Sequence, residues 1–216
     1  MTLITVERKV LEKNDVVAND IRAKLKEHKI FSFNLLSSPG SGKTSLVERT
    51  IAQLKDKIAI GVIEGDVQTD LDAQRIDVLG VPVAQIVTNG GCHLDAGLVR
   101  DALAKIDYAN LNVLIIENVG NLVCPAGYDL GEDTKVVLLS TTEGDDKPLK
   151  YPAMFRNASV LIINKIDLLP YVNCSVQKIK ENALAINPDL KIFETSCTTD
   201  AGISDWCNWI LTQANQ

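Results

Sequence analysis

Short apolar runs alternate with longer helical patterns along most of this 216-residue chain. The apolar runs predict strands over residues 30–33, 58–63, 84–87, 113–116, 136–139, 160–163 and 191–193. Helical spacing predicts helices over residues 45–54, 69–79, 94–105, 175–187 and 203–213. This alternation is typical of an α/β fold with a mostly parallel sheet and helices on both faces. Ligands of such sheets bind at the carboxyl ends of the strands, so motifs at those ends are candidates for a site.

The first residues form a separate pattern. Apolar positions at Val10, Val17, Ile21 and Leu25 have helical spacing, which predicts an amphipathic packing helix. We therefore expect an N-terminal helical extension over residues 1–29 and one α/β domain over residues 30–216. The alternative is a metal-carrying or partner-binding arm, although this stretch contains no cysteine and only one histidine.

A glycine-rich turn lies between the first predicted strand and the helix that follows it. Such a phosphate-binding loop offers backbone N–H groups to phosphate oxygens, with a lysine charge and a hydroxyl ligand for Mg²⁺. The candidate nucleotide-binding residues here are Gly40, Ser41, Gly42, Lys43, Thr44 and Ser45. Ser37 stands where the usual pattern has glycine. The alternative is an ordinary turn with an exposed lysine, and the flanking strand and helix favour the P-loop NTPase.

A guanine-reading motif follows the sixth predicted strand, as Asn164, Lys165, Ile166 and Asp167. The Asp167 carboxylate can accept from guanine N1–H and the 2-amino group, whereas adenine would leave it unpaired. A stranded buried carboxylate discriminates strongly, so the motif predicts GTP rather than ATP. Asn164 and Lys165 would brace the loop. Ser196 and Cys197 follow the last strand, where GTPases contact the base through backbone N–H groups.

Carboxylates at two further strand ends predict a magnesium and hydrolysis site. Glu117 occupies the aspartate position of the D-x-x-G signature, and Gly120 can sense the γ-phosphate. Asp66, Asp70 and Asp72 lie in a predicted switch segment, and we favour Asp66 and Asp72 as the functional pair. The catalytic candidates are therefore Lys43, Asp66, Asp72 and Glu117. The alternative is that Asp66 or Asp70 only caps the helix near Thr69.

A second metal site is predicted at Cys92, His93 and Cys124. Thiolate and imidazole suit Zn²⁺ or Ni²⁺, and we expect a helix N-terminus to lower the pKa of Cys92. Three ligands are fewer than a closed zinc site needs, so water or a second chain across a two-fold contact would complete the shell. The alternative is packing without a metal. The other cysteines are read as structural thiols.

Composition narrows the function classes. The net charge of −6 and the pI near 5.0 argue against a nucleic-acid partner. No run reaches the roughly 18 consecutive apolar residues of a membrane span, and no signal-peptide core is apparent. We expect a cytoplasmic protein that binds no membrane. The odd cysteine count argues against a disulfide framework.

Taken together, these motifs resemble one family, HypB, the SIMIBI-class GTPases of hydrogenase maturation and nickel incorporation. The resemblance covers about residues 30 to 205, and its motifs lie at residues 38–44, 64–66, 92–96, 117–125, 142–146 and 164–167. It implies that Thr44, Asp72 and Glu117 bind Mg²⁺ and that Cys92, His93 and Cys124 bind Ni²⁺ or Zn²⁺. The N-terminal cysteine motif or histidine run of some members has no counterpart in residues 1–29.

The resemblance also implies a reaction and partners. The expected protein hydrolyses GTP to GDP, forms a homodimer when GTP is bound, and acts on the hydrogenase large-subunit precursor with other maturation proteins. Lys150 would reach the guanine site of the partner subunit. The urease accessory GTPase is the alternative family, but its metal motif resembles Cys-Pro-His, whereas Cys92 and His93 are adjacent. A P-loop kinase and a non-enzymatic metal scaffold are the rival classes.

Overall fold

The computed structural model describes residues 6–216, with side chains from residue 10 onward. The strands are β1 (Phe31–Ser37), β2 (Ile60–Asp66), β3 (Val83–Val87), β4 (Val113–Glu117), β5 (Thr134–Ser140), β6 (Val160–Asn164) and β7 (Lys191–Glu194). The helices are α1 (Val6–Glu27), α2 (Lys43–Leu54), α3 (Leu71–Asp77), α4 (Ala96–Leu103), α5 (Lys147–Lys150), α6 (Pro152–Arg156), α7 (Val176–Ile186) and α8 (Ile203–Ala214). Short 3₁₀ segments lie at Cys124–Gly127, Thr141–Glu143 and Ile166–Tyr171.

All seven strands form one parallel sheet in the order β3-β2-β4-β1-β5-β6-β7. The predicted α/β P-loop fold is confirmed, and every predicted strand overlaps an observed one. The central strand β1 runs four residues beyond its predicted end because Asn34 to Ser37 are also buried. The carboxyl ends of β1, β2, β4 and β6 open onto the same edge of the sheet, where the predicted motifs lie.

The core has an apolar layer on each face of the sheet. On one face, α2 and α8 bury Ile51, Leu54, Trp206 and Ile210 against the strands. On the other face, α1 and α4 cover one half of the sheet and α6 and α7 cover the other. Leu94 and Leu122, in loops beyond the strand ends, also belong to these layers, so the loops that carry the predicted motifs are anchored to the core.

The predicted packing helix is confirmed as α1. Ala18, Ile21 and Leu25 are buried and pack with α4, whereas Val10 is 46% exposed. The domain boundary at residue 29 stays a prediction. Residues 1–5 of the predicted N-terminal extension lie outside the described part of the chain. No helix within residues 6–216 combines the length and apolar character needed to cross a membrane.

Candidate nucleotide site and metal centre

The loop between β1 and α2 has the geometry that phosphate binding requires. Gly40 and Gly42 have φ values of 75° and 98°, in the left-handed region that glycine adopts without strain. A side chain at Gly42 would also contact Asn164 Nδ2 at 2.7 Å. Lys43 Nζ donates to Ser37 Oγ at 3.1 Å, so the serine that replaces glycine in the usual pattern orients the lysine. The loop is thus preformed around its lysine.

The end of β6 braces this loop, as predicted. Asn164 Nδ2 donates to the Ser41 carbonyl at 3.0 Å, and Lys165 Nζ donates to the Gly40 carbonyl at 2.6 Å. One oxygen of Asp167, Oδ1, is buried without a hydrogen-bond partner within the described part of the chain. A buried carboxylate oxygen of this kind fits a ligand that brings its own N–H donors.

The segment after β7 is only partly available to a base. The Ser196 N–H donates to the Ala201 carbonyl at 3.0 Å, so this amide is already used within the chain. The Cys197 thiol approaches Asn164 Oδ1 at 3.7 Å, and burial raises its pKa to about 11. Cys197 therefore stays a neutral thiol beside the guanine motif. The assignment of both residues to nucleotide binding stays a prediction.

A cavity of about 220 Å³ lies between the phosphate loop and the ends of β2 and β4. Lys43, Asp66, Asp72, Glu117 and Gly120 are among its lining residues. The sequence predicted these residues from three separate motifs, and the fold brings them together. A Cβ atom at Gly120 would lie 2.9 Å from the Pro39 Cα, so only glycine permits this approach to the phosphate loop.

Glu117 is the most deeply buried carboxylate of this cavity. The Thr44 hydroxyl donates to Glu117 Oε1 at 2.9 Å, whereas Oε2 has no partner among residues 10–216. Burial raises the pKa of Glu117 to about 7, and the nearby Lys43 opposes this shift. A hydroxyl beside an unpartnered carboxylate oxygen is a donor set that fits Mg²⁺, which takes oxygen ligands together with phosphate oxygens.

Glu64 is a further acidic residue near this cavity, and the sequence motifs alone assign it no role. It faces Glu117 directly across the β2–β4 ladder, and a ligand oxygen of Glu64 lies within 4.8 Å of those of Asp66 and Asp72. Burial and the neighbouring charge of Glu117 raise the pKa of Glu64 to about 8. The signal available in the sequence was its position two residues before Asp66, on the same face of a strand.

The switch carboxylates are held differently. Asp66 Oδ1 accepts from the backbone N–H groups of Gln68 and Thr69 at 2.8 and 3.1 Å, so one of its oxygens stabilises the turn before α3. Asp70 precedes α3 without a side-chain capping bond. Asp72 Oδ1 accepts from Arg75 Nη1 at 2.9 Å. Neither Asp66 nor Asp70 therefore caps α3 with its side chain, because the Asp66 bonds lie in the preceding turn.

Two predicted residues lie elsewhere. Lys150 is on α5, more than half exposed, and pairs with Asp146 at 2.6 Å. It is not among the residues that line the cavity. Ser45 lies in the first turn of α2, and its hydroxyl accepts from Arg75 Nη2 at 3.4 Å. The assignment of Lys150 and Ser45 to nucleotide binding stays a prediction.

The loop before α4 and the 3₁₀ turn at 124–127 bring the three predicted metal ligands together. The ligand atoms of Cys92, His93 and Cys124 all lie within 4.8 Å of one another, and Cys92 Sγ is 3.4 Å from His93 Nδ1. Cys92 is exposed, so a further ligand can approach from outside the chain. The structure therefore supplies an incomplete but convergent ligand set for a soft metal ion.

The predicted direction of the Cys92 pKa shift was wrong. The helix begins at Ala96 with Asp95 as its N-cap, so Cys92 lies in the loop and outside the field of the helix N-terminus. A hydrogen bond shared with Cys124 raises the pKa of the Cys92 thiol instead. Burial lowers the pKa of His93, whose ring packs against Tyr128 at 4.0 Å. The imidazole is thus neutral and ready to act as a ligand.

The nucleotide-binding domain described as CobW/HypB/UreG matches residues 32–194. Hydrogenase maturation factor HypB of Escherichia coli K12 is 49% identical over 211 residues, which cover 98% of this chain and 73% of that protein. The chain belongs to the HypB family. Like other HypB proteins of this family, it is a P-loop GTPase.

Solved HypB structures agree with the fold. The crystal structure of HypB from Archaeoglobus fulgidus superposes with a TM-score of 0.89 at 39% identity and covers 94% of this chain and 100% of that one. HypB from Helicobacter pylori in complex with nickel gives a TM-score of 0.88 at 40% identity and covers 94% and 95%. A HypB relative at this similarity therefore binds nickel.

Proposed function

We propose that this protein is a GTP-hydrolysing metallochaperone that assists nickel insertion into the precursor of [NiFe]-hydrogenase. Metal binding would be coupled to GTP-dependent dimerisation. The observation that carries this proposal is the short loop from Gly120 to Cys124, because it joins the nucleotide cavity to the metal cluster. A change at the cavity would move a metal ligand directly.

Nucleotide choice would rest on Asp167, whose unpartnered oxygen would accept the N1–H and 2-amino donors of guanine. Lys43 would place its charge on the β- and γ-phosphates. Thr44, Asp72 and Glu117 would hold Mg²⁺, and this ion would neutralise charge that develops on the phosphates. Asp66 and Asp72, at the rim of the cavity, would orient the attacking water.

The metal cluster would hold nickel as cargo. Two thiols and one neutral imidazole suit Ni²⁺ and Zn²⁺ alike, and the nickel complex of the H. pylori relative favours nickel. A second copy of this chain, docked with two-fold symmetry, would complete the ligand shell from its own copies of these residues, of which Cys92 is exposed. The expected partners are this homodimer, the hydrogenase precursor and other maturation proteins.

The decisive experiment measures GTP and ATP hydrolysis with and without Ni²⁺. The proposal predicts turnover of GTP well above that of ATP. Transfer of phosphate to an acceptor other than water would point to a kinase instead. No turnover above buffer would leave only a metal-binding scaffold.

A second experiment concerns the metal. Cys92→Ala should lose stoichiometric Ni²⁺ while still hydrolysing GTP, because Cys92 does not line the nucleotide cavity. Cys174→Ala is the matched control, since Cys174 lies outside the cluster. Unchanged metal binding by Cys92→Ala would remove this residue from the site.

A further inference from the structure

We propose that the Asn118 side chain carries the nucleotide state of the cavity to the metal cluster through the backbone that follows His93. This inference rests on the proposed function and names one residue through which its coupling acts. Asn118 lies between Glu117 and Gly120, and it also lines the cavity. It would act as a positioning residue, since it reaches the metal only through other groups.

The direct link is a buried hydrogen bond. Asn118 Oδ1 accepts from the Leu94 N–H at 3.1 Å and from the Val119 N–H at 2.9 Å. Leu94 directly follows His93, and both Asn118 and Leu94 are at most 1% exposed. A shift of Asn118 therefore acts on the peptide unit next to a metal ligand.

The Asn118 side-chain nitrogen begins a second chain of hydrogen bonds, which ends near Tyr128, the residue that packs on His93. Asn118 Nδ2 donates to Asn34 Oδ1 at 3.2 Å, and Asn34 Nδ2 donates to Glu132 Oε1 at 3.3 Å. Glu132 Oε2 accepts from the Leu130 N–H at 2.6 Å, two residues after the tyrosine that packs on His93. The buried chain thus contacts both segments that surround the imidazole.

Burial explains why these groups should move together. Water cannot replace a lost partner at Leu94, so breaking its bond to Asn118 would strand a buried N–H donor. A displaced Asn118 is therefore expected to take Leu94 with it. This route reaches the peptide unit after His93 from β4. The loop from Gly120 reaches Cys124 along the chain and also reaches the Cys92 carbonyl, to which Asn121 Nδ2 donates at 3.2 Å.

A matched control is available on α1. Asn14 Oδ1 accepts from the Ala96 N–H at 2.8 Å, and its Nδ2 donates to the Asp129 carbonyl at 2.7 Å. Asn14 is 7% exposed and therefore also buried. It holds the same two segments near the metal, but it does not line the nucleotide cavity. Losing it should affect the metal cluster in every nucleotide state alike.

The test measures Ni²⁺ affinity with GDP and with a non-hydrolysable GTP analogue. For the unmodified protein we expect the two affinities to differ by about 5-fold or more, the usual range of coupling between sites. In Asn118→Ala the ratio should fall clearly below that of the unmodified protein, although the loop from Gly120 to Cys124 remains. In Asn14→Ala the affinity should fall in both states while the ratio stays as in the unmodified protein. Bound nucleotide and a cooperative melting transition show that each variant is folded.

The outcomes separate this inference from the function beneath it. A ratio of one in the unmodified protein would remove the proposed coupling, and the role of Asn118 with it. A normal ratio in the unmodified protein that persists in Asn118→Ala would overturn the role of Asn118 alone. A loss of the ratio in both Asn118→Ala and Asn14→Ala would overturn it too, because any damage near the metal would then suffice.

A second measurement needs no variant. Hydrogen exchange of the Leu94 amide reports its bond to Asn118, and we expect the amide to stay protected in both the GDP and GTP-analogue states, because Leu94 moves with Asn118. The Ala96 amide, bound to Asn14, serves as the internal reference. Loss of Leu94 protection in either state would show that the bond to Asn118 breaks, and would overturn the inference.

Discussion

At the scale of single residues, the proposed preference for guanine rests on one buried oxygen of Asp167. Asp167→Asn replaces an acceptor with a donor that faces the guanine 2-amino group, so we expect GTP affinity to fall by about 100-fold or more. Xanthosine triphosphate, which carries an oxygen at that position, should bind the variant better than GTP does. Competition binding with both nucleotides checks this. Equal loss of both would show that the substitution damages the site without changing its specificity.

Glu64 gives a pH prediction for the metal-free protein. Its pKa rises from an ordinary value of 4.5 to about 8, so the folded protein keeps a proton that the unfolded chain releases. The contribution of Glu64 to the free energy of unfolding therefore falls as pH rises from 4.5 towards 8, by about 1.4 kcal/mol for each unit of pKa shift.

Glu64→Gln should flatten this decline, because glutamine resembles the protonated acid and does not titrate. Urea unfolding in EDTA across this pH range measures the effect. Glu181→Gln is the control, since Glu181 is exposed on α7. An unchanged slope in Glu64→Gln would contradict the prediction.

The sequence predicted residues whose chemistry is tied to a local motif. The phosphate loop, Asp167 and the Cys92–His93 pair could be found because their spacing along the chain is short. Asn118 could not, since its partners Leu94 and Asn34 lie 24 and 84 positions away. The pKa of Cys92 was predicted with the wrong sign because a two-residue shift of the helix start removes it from the helix dipole.

At the scale of secondary-structure elements, α1 is part of the core. Ile21→Ala removes a side chain that is 1% exposed and packs with α4, so we expect a loss of about 2–5 kcal/mol in the free energy of unfolding. Val16→Ala on the same helix removes a side chain that is 64% exposed, and we expect a change within about 0.5 kcal/mol. Denaturant unfolding of both variants makes the comparison, and equal losses would mean that α1 does not pack as described.

The long elements could be predicted and the short ones could not. Runs such as residues 113–116 and 160–163 are apolar because these strands are buried on both faces. Helices α5 and α6 have four and five residues, too few for a hydrophobic period to show. Each begins with a proline in its first turn, which fixes the backbone locally, and the gap between them is only Tyr151.

At the scale of the whole molecule, Lys150 tests the dimer. It is 59% exposed, so a partner subunit can reach it if its surface ion pair with Asp146 opens. Lys150→Ala should weaken GTP-dependent dimerisation and leave the GDP affinity of the monomer unchanged. Sedimentation with GDP and with a GTP analogue measures both states, with Lys24→Ala on α1 as the control. A dimer as stable as that of the unmodified protein would exclude a contribution from Lys150.

The contact between Gly120 and Pro39 has a consequence for evolution. The contact involves backbone atoms of Pro39 and depends on the absence of a side chain at position 120. Any residue other than glycine at this position would therefore disrupt it. The three proposed ligands of the cargo ion, in contrast, are side chains in a loop and a turn, and one of them, Cys92, is exposed. Substitutions at these side chains can therefore change which metal ion is bound while the phosphate loop and its contact with Gly120 stay unchanged.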